Sequence, residues 1–244
     1  MIYNYLNIIS FIVIILISML SNLVNKIDIK SLRIKQNYLF INRFVKMSKD
    51  AYLYFLRAII YLILFIIIGI LMFKTYNLDK SIFFLYGKAS IVKSIVSLIL
   101  SIVVSMKIFF ITAIIIIVLI LKKKLTDCIS NIKWIENKEN YSLYTKLIRP
   151  IVLASIEGTL YCVLLNGIGT SILGLDFLVI IISLSFAYGI GKMLITYKLE
   201  NRLLMFSYGF WICFVGVLLY GFTGNFLYPV CLFIINTSFW AFKS

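Results

Sequence analysis

Of the nine acidic residues in this chain of 244, Glu157 alone falls well inside an apolar run; the other eight lie in connections or at run ends. A carboxylate in hydrocarbon must pair with a cation, meet water in a cavity, or take up a proton. It could therefore act as a base toward water, as half of an ion pair, or as a protonated donor between helices. Asn166 and Asn236 are the other strongly polar side chains within apolar runs, and hydrogen bonding between helices accounts for either. Lys192 reads as a snorkelling anchor, with pairing to Glu157 as the alternative, and Lys107 is expected to snorkel outward from a long third helix.

Histidine is absent, which removes the commonest general base and the commonest metal ligand. Cys128, Cys162, Cys213 and Cys231 have no metal-ligand spacing and read as small apolar side chains in a reducing compartment. No Gly-rich phosphate loop and no Ser/His/Asp set occurs, so neither metal nor cofactor is expected.

The solvent of these residues follows from composition: 63% of the chain is hydrophobic and 14% charged, too little polar surface for a water-soluble domain of this length. Runs such as 59–73, 112–121 and 177–185 carry no charge and belong to stretches of about 20 residues, the length that spans hydrocarbon. They are apolar all round rather than alternating, which selects helices over barrel strands. The expected fold is thus an all-α, polytopic transmembrane bundle. Seven spans are predicted near 4–24, 51–73, 91–121, 150–173, 177–197, 203–221 and 226–242. The first run has no basic segment before it and no cleavage pattern after it, and reads as a retained helix.

Twenty-four Lys and Arg against nine Asp and Glu give a net charge of +15. Because the charge sits in connections, anionic lipid explains it and nucleic acid does not. Residues 25–50 and 122–149 each carry seven Lys or Arg, so both belong in the cytoplasm, and the N-terminus then lies outside. The loop 74–90, with Lys74, Lys80 and Lys88, fits this alternation poorly. Within 122–149, Leu125, Ile129, Ile132 and Ile135 recur at helical spacing beside Trp134, a pattern for a helix lying on the inner surface or docking a cytoplasmic partner. Ser90, Ser94, Ser97, Ser101 and Ser105 line one face of the third span, where small residues let helices approach closely. Gly189, Gly191, Gly216 and Gly221 are read the same way. The chain is expected to be a single membrane domain, 1–244, with three helices in 1–121, a basic cytoplasmic loop at 122–149 and a four-helix core in 150–244.

The stretch Glu157-Gly158-Thr159-Leu160-Tyr161-Cys162 resembles the EExxxR motif of the CAAX protease and bacteriocin-processing (CPBP, or Abi) family of intramembrane glutamic proteases. Glu157 matches the first Glu and Tyr161 the aromatic, while Gly158 and Cys162 replace the second Glu and the Arg. The FxxxH motif resembles Phe186-Ala187-Tyr188-Gly189-Ile190 without its His, and HxxxN resembles Leu232-Phe233-Ile234-Ile235-Asn236 with only its Asn. In the family, the resemblance implies, the Glu activates water and the other groups hold it and stabilise the oxyanion. Glu157 and Asn236 alone cannot supply both, so a degenerate, non-proteolytic member is expected.

The residues expected to bind are Glu157, Tyr161, Asn166, Phe186 and Asn236. The partners expected are the lipid bilayer and a small peptide or another membrane protein, with a role in bacteriocin or toxin immunity, maturation or export. The location expected is the bacterial cytoplasmic membrane. Two alternatives stand beside this reading: a permease-like transporter subunit whose basic loops dock a cytoplasmic ATPase, and a still active CAAX-type protease.

Overall fold

The computed structural model describes residues 2–27, 32–46, 48–84, 89–124 and 149–242. Among these the regular structure is helical, apart from one isolated bridge between Phe84 and Asn225. Helix α1 (Ile2–Leu20) tightens into a 3₁₀ stretch, Ser21–Lys26; α2 is Leu32–Phe44, α3 Lys49–Tyr76 and α4 Ile91–Ile114, which runs on as a π-helix through Ile120. Helix α5 (Arg149–Gly158) continues through π-helical turns at Thr159–Leu165 and Ile168–Ile172, followed by α6 (Phe177–Met193), α7 (Leu199–Thr223) and α8 (Leu227–Phe242). Five of the helical stretches, Tyr5–Val24, Phe55–Tyr76, Ile91–Ile120, Ile151–Ile172 and Leu199–Thr223, are long and apolar enough to cross a membrane; Phe177–Met193 and Leu227–Ser238 are apolar but shorter.

Local chemistry explains the boundaries. Asp176 caps α6 by accepting from the amides of Leu178 at 2.8 Å and Val179 at 3.3 Å. Gly224 ends α7 in the left-handed region at φ +65°, its amide reaching the Tyr220 carbonyl, and Asn225 Oδ1 then accepts from the Leu227 amide at 3.0 Å to start α8. The region 25–50, expected as a loop, holds α2, whose Tyr38 packs on Tyr52 with ring centroids 5.6 Å apart. Its hydrophobic residues are too interleaved with Arg and Lys to read as a span. The amphipathic stretch 125–135 and Cys128 lie outside the described residues.

The core is built by α5, α6, α7 and α8, with Tyr161, Leu165, Leu184, Tyr188 and Phe233 fully buried. Helices α1 and α3 flank it beside α6 and α5, and α4 lies against α7 and α8. Close approaches occur at expected glycines: a Cβ on Gly189 would stand 3.0 Å from the Phe206 carbonyl oxygen and one on Gly216 2.8 Å from Cys162 Sγ; Gly209, not among those expected, would place one 3.0 Å from the Gly189 Cα. In the serine row, Ser94 and Ser105 are buried, and Ser105 Oγ donates to Asn236 Oδ1 at 3.4 Å.

The two ends of the bundle are closed differently. At one, the Phe226 amide donates to the Phe83 carbonyl at 3.1 Å, Tyr220 Oη to the Ile82 carbonyl, and Tyr76 Oη to the Asn7 carbonyl at 2.8 Å. At the other, basic end, Arg57 donates to the Ile27 carbonyl and Lys123 pairs with Glu200 at 3.1 Å.

Candidate functional site

Glu157 lies on the third turn of α5, pointing toward the basic end, and is 4% exposed. A bare carboxylate would be costly there, and the surrounding helices answer it completely. Lys192 Nζ, near the end of α6, sits 2.7 Å from Oε1 and 2.8 Å from Oε2. Tyr61 Oη, from α3, donates to Oε1 at 2.7 Å, and Tyr188 Oη, one turn before Lys192, donates to Oε2. Each carboxylate oxygen thus receives two donors, which uses the four acceptor positions such a group offers. Asn22, in the 3₁₀ turn after α1, extends the cluster, its Oδ1 3.5 Å from Tyr61 Oη.

The Lys192 ammonium lies 5.0 Å from the Tyr188 ring centroid, so the same tyrosine offers its hydroxyl to the acid and its face to the base. The pair is neutral as a unit, which is how two charges are tolerated at such depth. Four chain segments therefore meet at one carboxylate. Two glycines permit it: a Cβ on Gly191 would come 2.7 Å from Asn22 Nδ2, and one on Gly209 3.0 Å from the Lys192 side chain.

Lys192 is consequently a partner of Glu157 and not a snorkelling anchor. The helix α6 ends at Met193, four residues before the expected boundary, so Lys192 still lies in the last turn against the core and its stem points inward. Tyr61, Tyr188 and Asn22 were not among the expected residues. Tyr188 and Lys192 are four apart and so share a helix face, a spacing visible in the sequence; no comparable signal marks Tyr61 or Asn22.

The other expected residues divide. Tyr161 is fully buried, its ring 4.8 Å from that of Tyr188, with no hydrogen-bond partner for its hydroxyl among the described residues. Asn166 is buried deeper along α5, and its Oδ1 has none either. Asn236 donates to the Leu232 carbonyl at 2.9 Å and accepts from Ser105, sharing no partner with Glu157. Phe186 is exposed on the outer side of α6, against Phe206 and Phe210. Acid and amide are thus served by different helices. Cys162 and Cys213 are buried, and no group of metal-ligating side chains occurs among the described residues.

A base needs a lone pair aimed at the proton it takes, and both oxygens of Glu157 are already engaged. The cluster ties α1, α3, α5 and α6 together. Tyr61→Phe should cost about 1–2 kcal/mol in unfolding free energy, because it removes a donor from a charged acceptor. Tyr161→Phe, which removes a hydroxyl without a partner, should be neutral or stabilising. Reversible unfolding in bicelles would measure both; equal losses would mean that ring packing, not the hydrogen bond, matters.

No curated protein and no solved structure matches the chain. A family model described as "Family of unknown function (DUF5968)" matches residues 95–244, from the second turn of α4 through the whole Glu157-bearing core. Spanning more than half of the sequence, it places the protein in that family of unknown function, DUF5968.

Proposed function

We propose that this chain is a non-proteolytic, CPBP-like protein of the bacterial cytoplasmic membrane that binds a peptide or a partner protein, with Glu157 anchoring the bundle instead of activating water. The observation that carries the reading is the occupation of both Glu157 oxygens by Lys192, Tyr61 and Tyr188. The position that resembles a catalytic Glu is held by a cation and two hydroxyls, and the motif histidines, second Glu and Arg are replaced. A core cross-linked in this way would serve as a scaffold that presents its surfaces to a partner. Immunity toward a peptide toxin, or its maturation or export, is the role this scaffold would serve.

In this reading seven helices cross, the shorter α6 and α8 included, with the amino end outside. Supporting it, Lys123, Lys198 and Arg202 lie at the end where Arg57 reaches Ile27, as the positive-inside rule requires of a cytoplasmic face.

The purified protein should not cleave a single-span reporter peptide in detergent or liposomes, and Glu157→Gln should leave that result unchanged. Cleavage by the wild type that Glu157→Gln abolishes would restore the protease. Affinity capture from detergent should retain a peptide or membrane protein in stoichiometric amount. Capture of an ATPase, with ATP-driven transport on reconstitution, would replace the binding role with a permease one.

A further inference from the structure

The third predicted span holds a second intramembrane cation, and its surroundings are the reverse of those of Lys192. Lys107 is exposed on the outward side of α4, with no ion pair or hydrogen bond among the described residues. The expectation was a long helix from which Lys107 snorkels outward. The packing of α4 on α7 gives a different depth. Thr112 Oγ1 meets Ser207 Oγ at 2.5 Å, Phe109 packs on Tyr208 with centroids 5.7 Å apart, and Ile102 lies on the cluster of Val215 and Leu219. Lys107 is bracketed by these contacts and stands level with the middle of α7, which runs Leu199–Thr223. From there about 12 residues of helix, roughly 18 Å, separate it from either end. A four-carbon stem does not cover that distance.

The neighbours of Lys107 on the same face are Leu100, Val103, Ile111 and Ile114, all exposed and all apolar. A lone ammonium at the midplane on an apolar outward face is costly against lipid and favourable against a carboxylate in the same low dielectric. We propose that this face of α4 docks a transmembrane helix of a different protein, one that carries an Asp or Glu at mid-membrane to pair with Lys107.

A second copy is the wrong chemistry. The acid available at that depth within this chain is Glu157, and it is buried and engaged by Lys192. The remaining acids lie in connections or at helix ends. The inference rests on the reading of the chain as a partner-binding membrane protein and names the partner's chemistry.

The test uses the full-length protein reconstituted in liposomes with single-span polyleucine peptides bearing one central Glu, Leu or Lys, association being followed by energy transfer. The Glu peptide should associate about tenfold more tightly than the Leu peptide, the range expected for one strong interhelical polar contact. Lys107→Leu should abolish the difference, Lys107→Arg should keep it, and Lys107→Glu should transfer the preference to the Lys peptide. Equal association of Glu and Leu peptides with the wild type overturns the proposal. So does acylation of Lys107 by a water-soluble ester as fast as that of the exposed Lys93, which would place it at the interface. Self-association that depends on Lys107 would make a second copy the occupant and overturn it as well. Neither peptides nor variants touch Glu157, so failure here is distinct from detection of proteolysis.

Discussion

Lys192→Met is expected to destabilise the bundle by about 3–5 kcal/mol, and Glu157→Gln added to it should recover a large part of that loss. Removing the ammonium leaves Glu157 with its two tyrosine donors and no counter-charge, at a position 4% exposed. The penalty is that of the orphaned charge and exceeds the net worth of the pair, because each ion also lost its hydration on burial. Glu157→Gln alone orphans Lys192, and should be the milder single change because the ammonium retains the Tyr188 ring at 5.0 Å. A double-mutant cycle on unfolding free energy in bicelles checks the claim. Additive losses would show that acid and base are not coupled, and the anchoring role of the cluster would fall with them.

The second large effect is expected at Gly209. A Cβ there would meet the Gly189 Cα at 3.0 Å and the Lys192 Cγ at 3.0 Å, so backbone stands on one side and the buried ion pair on the other. Gly209→Val should therefore force α6 and α7 apart and cost about 3 kcal/mol or more, at the upper end of overpacking penalties. Gly69, with nothing within 4 Å of its would-be Cβ, is the control, and Gly69→Val should change stability little. Comparable losses at both positions would mean that helix propensity, not the α6–α7 approach, sets the result.

The pattern of apolar runs was enough to place the apolar helices, though not the basic α2, since hydrocarbon leaves few alternatives for the backbone. Glu157 was legible for the same reason: an acid in such a run stands out. What it touches was not. Tyr61 lies 96 positions from Glu157, in a span rich in Ile and Leu, and no local spacing brings the two together. Asn22 could be seen as polar but not as a neighbour of Tyr61, because the 3₁₀ turn that carries it depends on tertiary packing. Phe186 illustrates the opposite error. Its motif position suggested a place beside the acid, yet it is two residues before Tyr188 and so points to another side of α6. Lys107 and Lys192 look alike in sequence, each a lone cation in or near an apolar run. They differ in which side of the helix faces the core, and that depends on partners distant along the chain.

The π-helical turns of α5 have a consequence for comparing this chain with its relatives. Each i→i+5 bond in Thr159–Leu165 encloses one residue more than an α-helical bond, so the segment harbours the equivalent of an insertion. Deleting a single residue there should let the helix relax to regular pitch with Asn166 and everything downstream nearly in register with Glu157, whereas the same deletion in a regular α-helix would rotate the downstream side chains by about 100°. Alignments drawn without a gap across this segment would match side chains that look in different directions.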